Sequence, residues 1–345
     1  MMMFRLKKRP KKSSLDQDLT RAFQTGVPED EDRIETIERF GNRSRHFKKN
    51  KILKTYAARS ETQIDQLPLG EVWQVHSLFA DVWYDGQMYR CTQRRTLTRV
   101  SETQLIVGDR VRFEILSVRS ENGLSEGVIE RIEPRSTVLV RADSFQARQV
   151  HPIVANAQQM LIVASLHLPE VKWGLVDRMV IAARSGGLHP VICLNKIDTA
   201  IDSEDLQTAR EVLAHYQSLG IRTHQTCATN MKGVEELKQT IRGQDTVLAG
   251  HSGVGKSSLI RAVEPSLDIR IGSISDFHHK GKHTTTSARK YRLSFGGSVI
   301  DTPGVKLFGL WGVTAESLID FFPDVQNGTA PQWRVESYHR IRESL

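Results

Sequence analysis

The chain has 345 residues, 26% of them charged, and a formal net charge of +8. That length allows two or three domains with at least one sizeable core. No apolar run is long enough to span a membrane, and the basic start lacks the apolar stretch of a secretory signal, so neither a membrane-spanning nor a secreted protein is expected. The three cysteines, Cys91, Cys193 and Cys227, stand too far apart for a disulfide framework or a metal-ligand spacing, which fits a reducing cytoplasm.

Residues 1–60 hold 16 Lys/Arg against 8 Asp/Glu, so the excess charge sits in that arm and residues 61–345 are formally neutral. Two clusters carry it, Lys7–Lys12 and Arg43–Lys51. Arms of this kind bind phosphate backbones and release counterions. A solvated tail or a membrane-surface contact is the blander alternative, and no amphipathic apolar face accompanies the charge. Residues 1–65 are expected to form a basic, largely disordered arm with one short helix around Asp32–Phe40.

From Pro68 the pattern becomes short alternating strands. Gly70–His76 is one, and Ala80–Tyr84, Asp85-Gly86 and Gln87–Cys91 form a hairpin with a two-residue turn. Gly108–Ile115 and Ser125–Ile132 follow. Five short strands in residues 66–135 predict a small barrel of the oligonucleotide-binding (OB) type. Trp83 and Tyr84 are adjacent on one strand and must face opposite sides. One packs the barrel; the other is either a base-stacking platform or a cover against a neighbouring domain.

Residues 136–311 switch to an α/β pattern. Gln158–Ser165 predicts a buried strand, Val171–Ser185 a helix and Pro190–Leu194 the next strand. That strand delivers Asn195-Lys196-Ile197-Asp198 at its carboxyl end, where open α/β sheets bind ligands. N-K-x-D is the guanine-reading signature of GTPases. Asp198 accepts from guanine N1–H and the exocyclic amine, a donor pair that adenine lacks. Asn195 donates toward the other base edge, and the Lys196 stem covers the ring. After a helix at Ser203–Leu219 and a strand at Ile221–Gln225, Cys227-Ala228 stands where GTPases offer a backbone N–H to guanine O6.

The strand Thr246–Ala249 then leads into Gly250-His251-Ser252-Gly253-Val254-Gly255-Lys256-Ser257-Ser258, which fits G-x-x-x-x-G-K-[ST]. Its glycines let successive N–H groups converge on a di- or triphosphate at the following helix N-terminus. Lys256 is expected to reach the β- and γ-phosphates, and the Ser257 hydroxyl to ligate Mg²⁺. His251 is expected to contribute only its backbone. Downstream, one of Thr284 or Thr285 would complete the Mg²⁺ shell. Asp301, opening Asp301-Thr302-Pro303-Gly304, would hold the ion through water, and the Gly304 N–H would sense the γ-phosphate.

The order of these pieces is inverted: the base-reading elements precede the phosphate-reading ones. They assemble on one sheet only if the domain is a circularly permuted phosphate-loop GTPase. The γ-phosphate-sensing segment then runs directly into the carboxyl-terminal region.

With G-K-H-T-T-T at Gly281–Thr286 and D-T-P-G at Asp301–Gly304, a barrel followed by permuted motifs resembles the ribosome small subunit-dependent GTPase A (RsgA) family over roughly residues 68–325. The resemblance implies GTP hydrolysis to GDP and phosphate, Mg²⁺, and a partner in the small ribosomal subunit with rRNA contact through the barrel; a cytoplasmic monomer is expected. It also suggests that His283 orients the attacking water, since Val305 follows Gly304 and cannot. Family members carry a zinc module on three cysteines and a histidine after this segment. Here no cysteine lies beyond Cys227, so zinc is not expected and residues 312–345 reduce to a short helical tail with Trp333, Tyr338 and Ile341. The amino-terminal arm is expected to replace the lost contact. Two further readings remain: a nucleotide-gated RNA-binding placeholder with negligible turnover, and an ATPase, which Asp198 disfavours.

Overall fold

Asp85-Gly86 sets the first piece of architecture, because both residues adopt positive φ (45° and 76°) and so match the twist of a two-residue hairpin. The computed structural model describes residues 61–94, 104–120, 123–142, 150–267, 288–302, 310 and 312–345. Strands β1 (Leu69–Val75), β2 (Ala80–Tyr84), β3 (Gln87–Gln93), β4 (Arg110–Arg119) and β5 (Ser125–Ile132) pair in the order β1-β2-β3-β5-β4, and β4 returns to β1. The β3–β5 pair is parallel and its neighbours antiparallel, which closes an OB-type barrel. Val72, Val82, Cys91, Val111, Phe113 and Ile129 fill it. Gly70 is required where the barrel closes: a Cβ there would lie 2.4 Å from Val82 Cγ1. Helix α1 (Glu61–Asp65) sits at the base, with Glu61 and Asp65 both paired to Arg131. These five residues were expected within the disordered arm; residues 1–60 lie outside the described residues.

A hairpin the sequence analysis left unassigned, β6 (Val138–Ala142) with β7 (Val150–Ala155), leads into the α/β domain. There β8 (Gln159–Ser165), β9 (His189–Asn195), β10 (Arg222–Gln225), β11 (Asp245–Ala249) and β13 (Ser298–Asp301) run parallel in the order β10-β9-β8-β11-β13. Helices α2 (Trp173–Ser185) and α3 (Ser203–Ser218) contribute to one apolar core, built on Met160, Ile162, Ile192 and Leu194. Helices α4 (Val234–Ile241) and α5 (Lys256–Val263) contribute to the other, built on Leu161, Val163, Val191 and Leu248. All seven residues of β8 are buried, as befits a central parallel strand covered on both faces.

Strand β12 (Arg289–Arg292) is antiparallel to β13 and touches barrel strand β1 at Gln74↔Arg289, so barrel and α/β domain share one sheet. Trp83 stacks on Trp73 (centroids 4.7 Å apart) with the Arg292 guanidinium 5.7 Å above it, whereas Tyr84 meets Tyr89 and Phe113 of the barrel core. Of the two fates open to the outward ring, it meets the neighbouring domain.

The carboxyl-terminal segment is docked. A 3₁₀ turn (Ser317–Phe321), α6 (Pro323–Gln326) and α7 (Gln332–Glu343) bring Leu318, Phe322, Tyr338 and Ile341 against Ile181 of α2. Arg334, only 1% exposed, lies between Asp177 of α2 and Asp324 of α6 and donates to both.

Candidate functional site

Asn195 is the residue about which the site is built. It ends β9, is 1% exposed, and is separated by β8 alone from β11 and the loop that follows it. Its Nδ2 donates to the Val254 carbonyl at 3.0 Å, and its Oδ1 accepts from Thr226 Oγ1 at 3.1 Å. Thr226, fully buried after β10, lies 3.2 Å from Cys193 Sγ. Three strand ends are therefore tied through one amide. These bonds use Oδ1 and one Nδ2 hydrogen; the base edge at which the sequence analysis aimed Asn195 would take the second Nδ2 hydrogen. Thr226 was not singled out, and nothing local marks a lone threonine as such a bridge.

The signature and the phosphate-loop motif meet directly. A Cβ on Gly255 would lie 2.5 Å from Asn195 Nδ2 and 3.7 Å from Lys196 Cε. Gly255 also has φ +91°, and Gly250, at φ +140°, lies against the Val163 carbonyl with room for no side chain. Lys196 adopts a left-handed backbone (φ 56°), and Asp198 follows in a 3₁₀ turn with its side chain exposed. His251, Ser252 and Gly253 are exposed, Val254 is buried, and α5 begins at Lys256 with Ser257 and Ser258 in its first turn. The His251 ring turns back to the Ser252 carbonyl (Nδ1 at 2.9 Å), consistent with a backbone contribution.

Lys256 Nζ donates to the carbonyls of Gly250 (2.7 Å) and His251 (3.0 Å). Burial lowers its pKa, and the negative charge of Asp301 opposes that shift. Asp301, 8% exposed at the end of β13, is pushed up by burial and held back by Lys256. The two motifs at the ends of β11 and β13 are thus close enough for each to feel the other's charge.

Of the Cys227-Ala228 pair, the Cys227 N–H donates to the Lys232 carbonyl at 2.9 Å, which leaves Ala228 as the candidate backbone donor. His283, Thr284, Thr285 and Gly304 lie outside the described residues. A cavity of about 70 Å³, lined by Ile162, Val171, Leu175, Met179 and Gly250 among others, flanks the loop on the α2 side; neither Asn195 nor Asp198 reaches it.

A parallel sheet with a base-reading signature and a phosphate loop on strands flanking a central one, the signature earlier in the chain, defines a circularly permuted GTPase. The RsgA GTPase family profile matches residues 132–311. The small ribosomal subunit biogenesis GTPase RsgA 1 of Vibrio vulnificus is 37% identical over 286 residues, 75% of this chain and 78% of that protein. The small ribosomal subunit biogenesis GTPase RsgA of Proteus mirabilis is 33% identical over 329 residues, 86% of this chain and 91% of that one. Among solved structures, YjeQ from Thermotoga maritima superposes with a TM-score of 0.63 at 29% identity, covering 81% of this chain and 98% of its own. YloQ, a circularly permuted GTPase, gives a TM-score of 0.61 at 22% identity over 83% and 97%, and so speaks for the fold. The chain belongs to the RsgA GTPase family and is a GTP hydrolase.

Proposed function

We propose that this GTPase acts in late assembly of the small ribosomal subunit, binding rRNA through its barrel and its basic arm. The printed names of the relatives support the subunit as partner. The contact between Gly255 and Asn195 carries the nucleotide site, because it joins a guanine-reading strand end to a phosphate loop across one sheet. Asp198, the Ala228 N–H and the Lys196 stem would hold guanine. The N–H groups of the loop, with Lys256, would hold the phosphates. Gly304 would report on the γ-phosphate, and His283 would orient the attacking water.

The donor set fits Mg²⁺ in kind: a hydroxyl in the first turn of α5 and a buried carboxylate at the end of β13 that senses the Lys256 charge. Ser257, Asp301 and one of Thr284 or Thr285 would hold the ion, which would neutralise charge on the phosphates. In this reading the protein works in the cytoplasm as a monomer, and zinc plays no part. Among the described residues no helix is long and apolar enough to cross a membrane.

The test is GTP turnover with and without purified small ribosomal subunits. We expect stimulation of at least ~10-fold, lost in His283→Ala while GTP affinity stays near wild type. Turnover that subunits leave unchanged would favour the nucleotide-gated placeholder instead, a reading to which Val305 lends some weight because it offers no water-positioning group.

A further inference from the structure

Between β8 and α2 the chain makes a tight turn that the motif analysis passed over. The chain is tethered on both sides of Leu168. The Leu166 N–H donates to the Asn195 carbonyl at 3.1 Å, and the Val171 N–H to the Leu166 carbonyl at 3.3 Å. His167 Nε2 pairs with Asp205 at 2.6 Å, and Ser165 Oγ donates to the Pro169 carbonyl at 2.6 Å. The Leu168 carbonyl itself accepts from Lys196 Nζ at 2.5 Å. Pro169 Cδ lies 3.4 Å from where a Cβ on Gly253 would stand. The turn therefore touches both the base-reading lysine and the phosphate loop.

Leu168 occupies the left-handed region at φ 56°, which costs a leucine about 1 kcal/mol that glycine or asparagine would avoid. Its side chain is nevertheless 75% exposed, so burial among the described residues does little to offset that cost. A single exposed leucine needs no explanation by itself. Here, though, an exposed leucine is held from both sides in a conformation that disfavours leucine, and its carbonyl bonds the lysine expected to cover a purine.

We propose that Leu168 is a nucleoside-contacting residue, an apolar wall against the ribose and purine edge beside Lys196. This rests on the assignment of the guanine site to Asn195–Asp198 and the phosphate loop. The test is calorimetric titration of GDP into the full chain. Leu168→Asn accepts a left-handed backbone and keeps the carbonyl bond to Lys196 while removing the apolar surface. It should weaken GDP binding about tenfold, with no fall in Tm, while Leu168→Met, which keeps the bulk, should stay within roughly threefold of wild type. Wild-type affinity in Leu168→Asn would overturn the proposal and leave the site assignment standing. So would equal losses in both variants, or a loss accompanied by a lower Tm, since the turn itself would then have moved. A wild-type chain that does not bind GDP would overturn the site assignment and this proposal with it.

Discussion

Gly255 shows how much one position decides. Its backbone lies in the left-handed region, and the side chain that would collide with any Cβ belongs to Asn195, which two hydrogen bonds hold in place. Neither partner can yield cheaply. Gly255→Ala should therefore weaken GDP binding about 100-fold, equivalent to about 3 kcal/mol of strain and misplacement. Equilibrium titration with a fluorescent GDP analogue would measure it, and an affinity within a few-fold of wild type would mean that loop and amide move freely. The glycine pattern was legible in the sequence; the reason for it was not, because Asn195 stands sixty residues upstream and only the fold brings it there.

At the scale of elements, two attachments keep the site in shape. Helix α5, which the phosphate loop opens, ends at Glu264, whose carboxylate accepts from Ser266 Oγ at 2.5 Å and from the Ser294 N–H at 2.8 Å. Burial alone would raise its pKa, but these hydrogen bonds outweigh it and hold the group down at about 2, against an ordinary 4.5. A carboxyl depressed on folding contributes stability that is present above its unfolded pKa and is lost as pH falls. Wild type should therefore be more stable than Glu264→Gln at neutral pH, and denaturant midpoints of the two should converge between pH 4.5 and about 2. A gap that stays constant through that window would exclude the carboxylate as its source.

The second attachment is Arg334. On α7 it is buried between Asp177 and Asp324 and stacks over the Phe322 ring at 4.2 Å. Asp324 also accepts from His215 (2.8 Å), so four elements meet at one charged cluster. Removing the guanidinium takes the shared cation from two buried carboxylates, leaving Asp324 with His215 and Asp177 with the Tyr216 hydroxyl. Arg334→Met should lower Tm on the order of 10 °C. An unchanged Tm would show that α7 contributes nothing to the domain. Apolar spacing marked Trp333, Tyr338 and Ile341 as a helix, but a sequence cannot announce that an arginine between them is more buried than any of the three.

At the scale of the whole molecule, the barrel and the GTPase domain are welded through β12. Lys290, 4% exposed, pairs with Glu71 of β1 and with Asp245 at the start of β11, at 2.8 Å. Strands with a local signal were readable in advance. The hairpin around Asp85-Gly86 and the uninterrupted apolar run of β8 both fell where expected. Strand β12 was not, because Arg289-Lys290-Tyr291-Arg292 shows no apolar alternation and earns its place from partners on either side. The same holds for β6 and β7, and for the Arg292 guanidinium over Trp83, which comes from a strand about two hundred residues away.

The central claim is that Asp198 and Lys256, on motifs in inverted order, serve one guanine nucleotide. The most direct measurement is the affinity of wild type, Asp198→Asn and Lys256→Ala for GDP and for xanthosine diphosphate. Xanthine carries a carbonyl where guanine carries its exocyclic amine, so an asparagine amide can donate where the aspartate accepted. Asp198→Asn should lose GDP and gain xanthosine diphosphate by about 100-fold each, while Lys256→Ala should weaken both. GDP affinity untouched by Asp198→Asn would contradict the account.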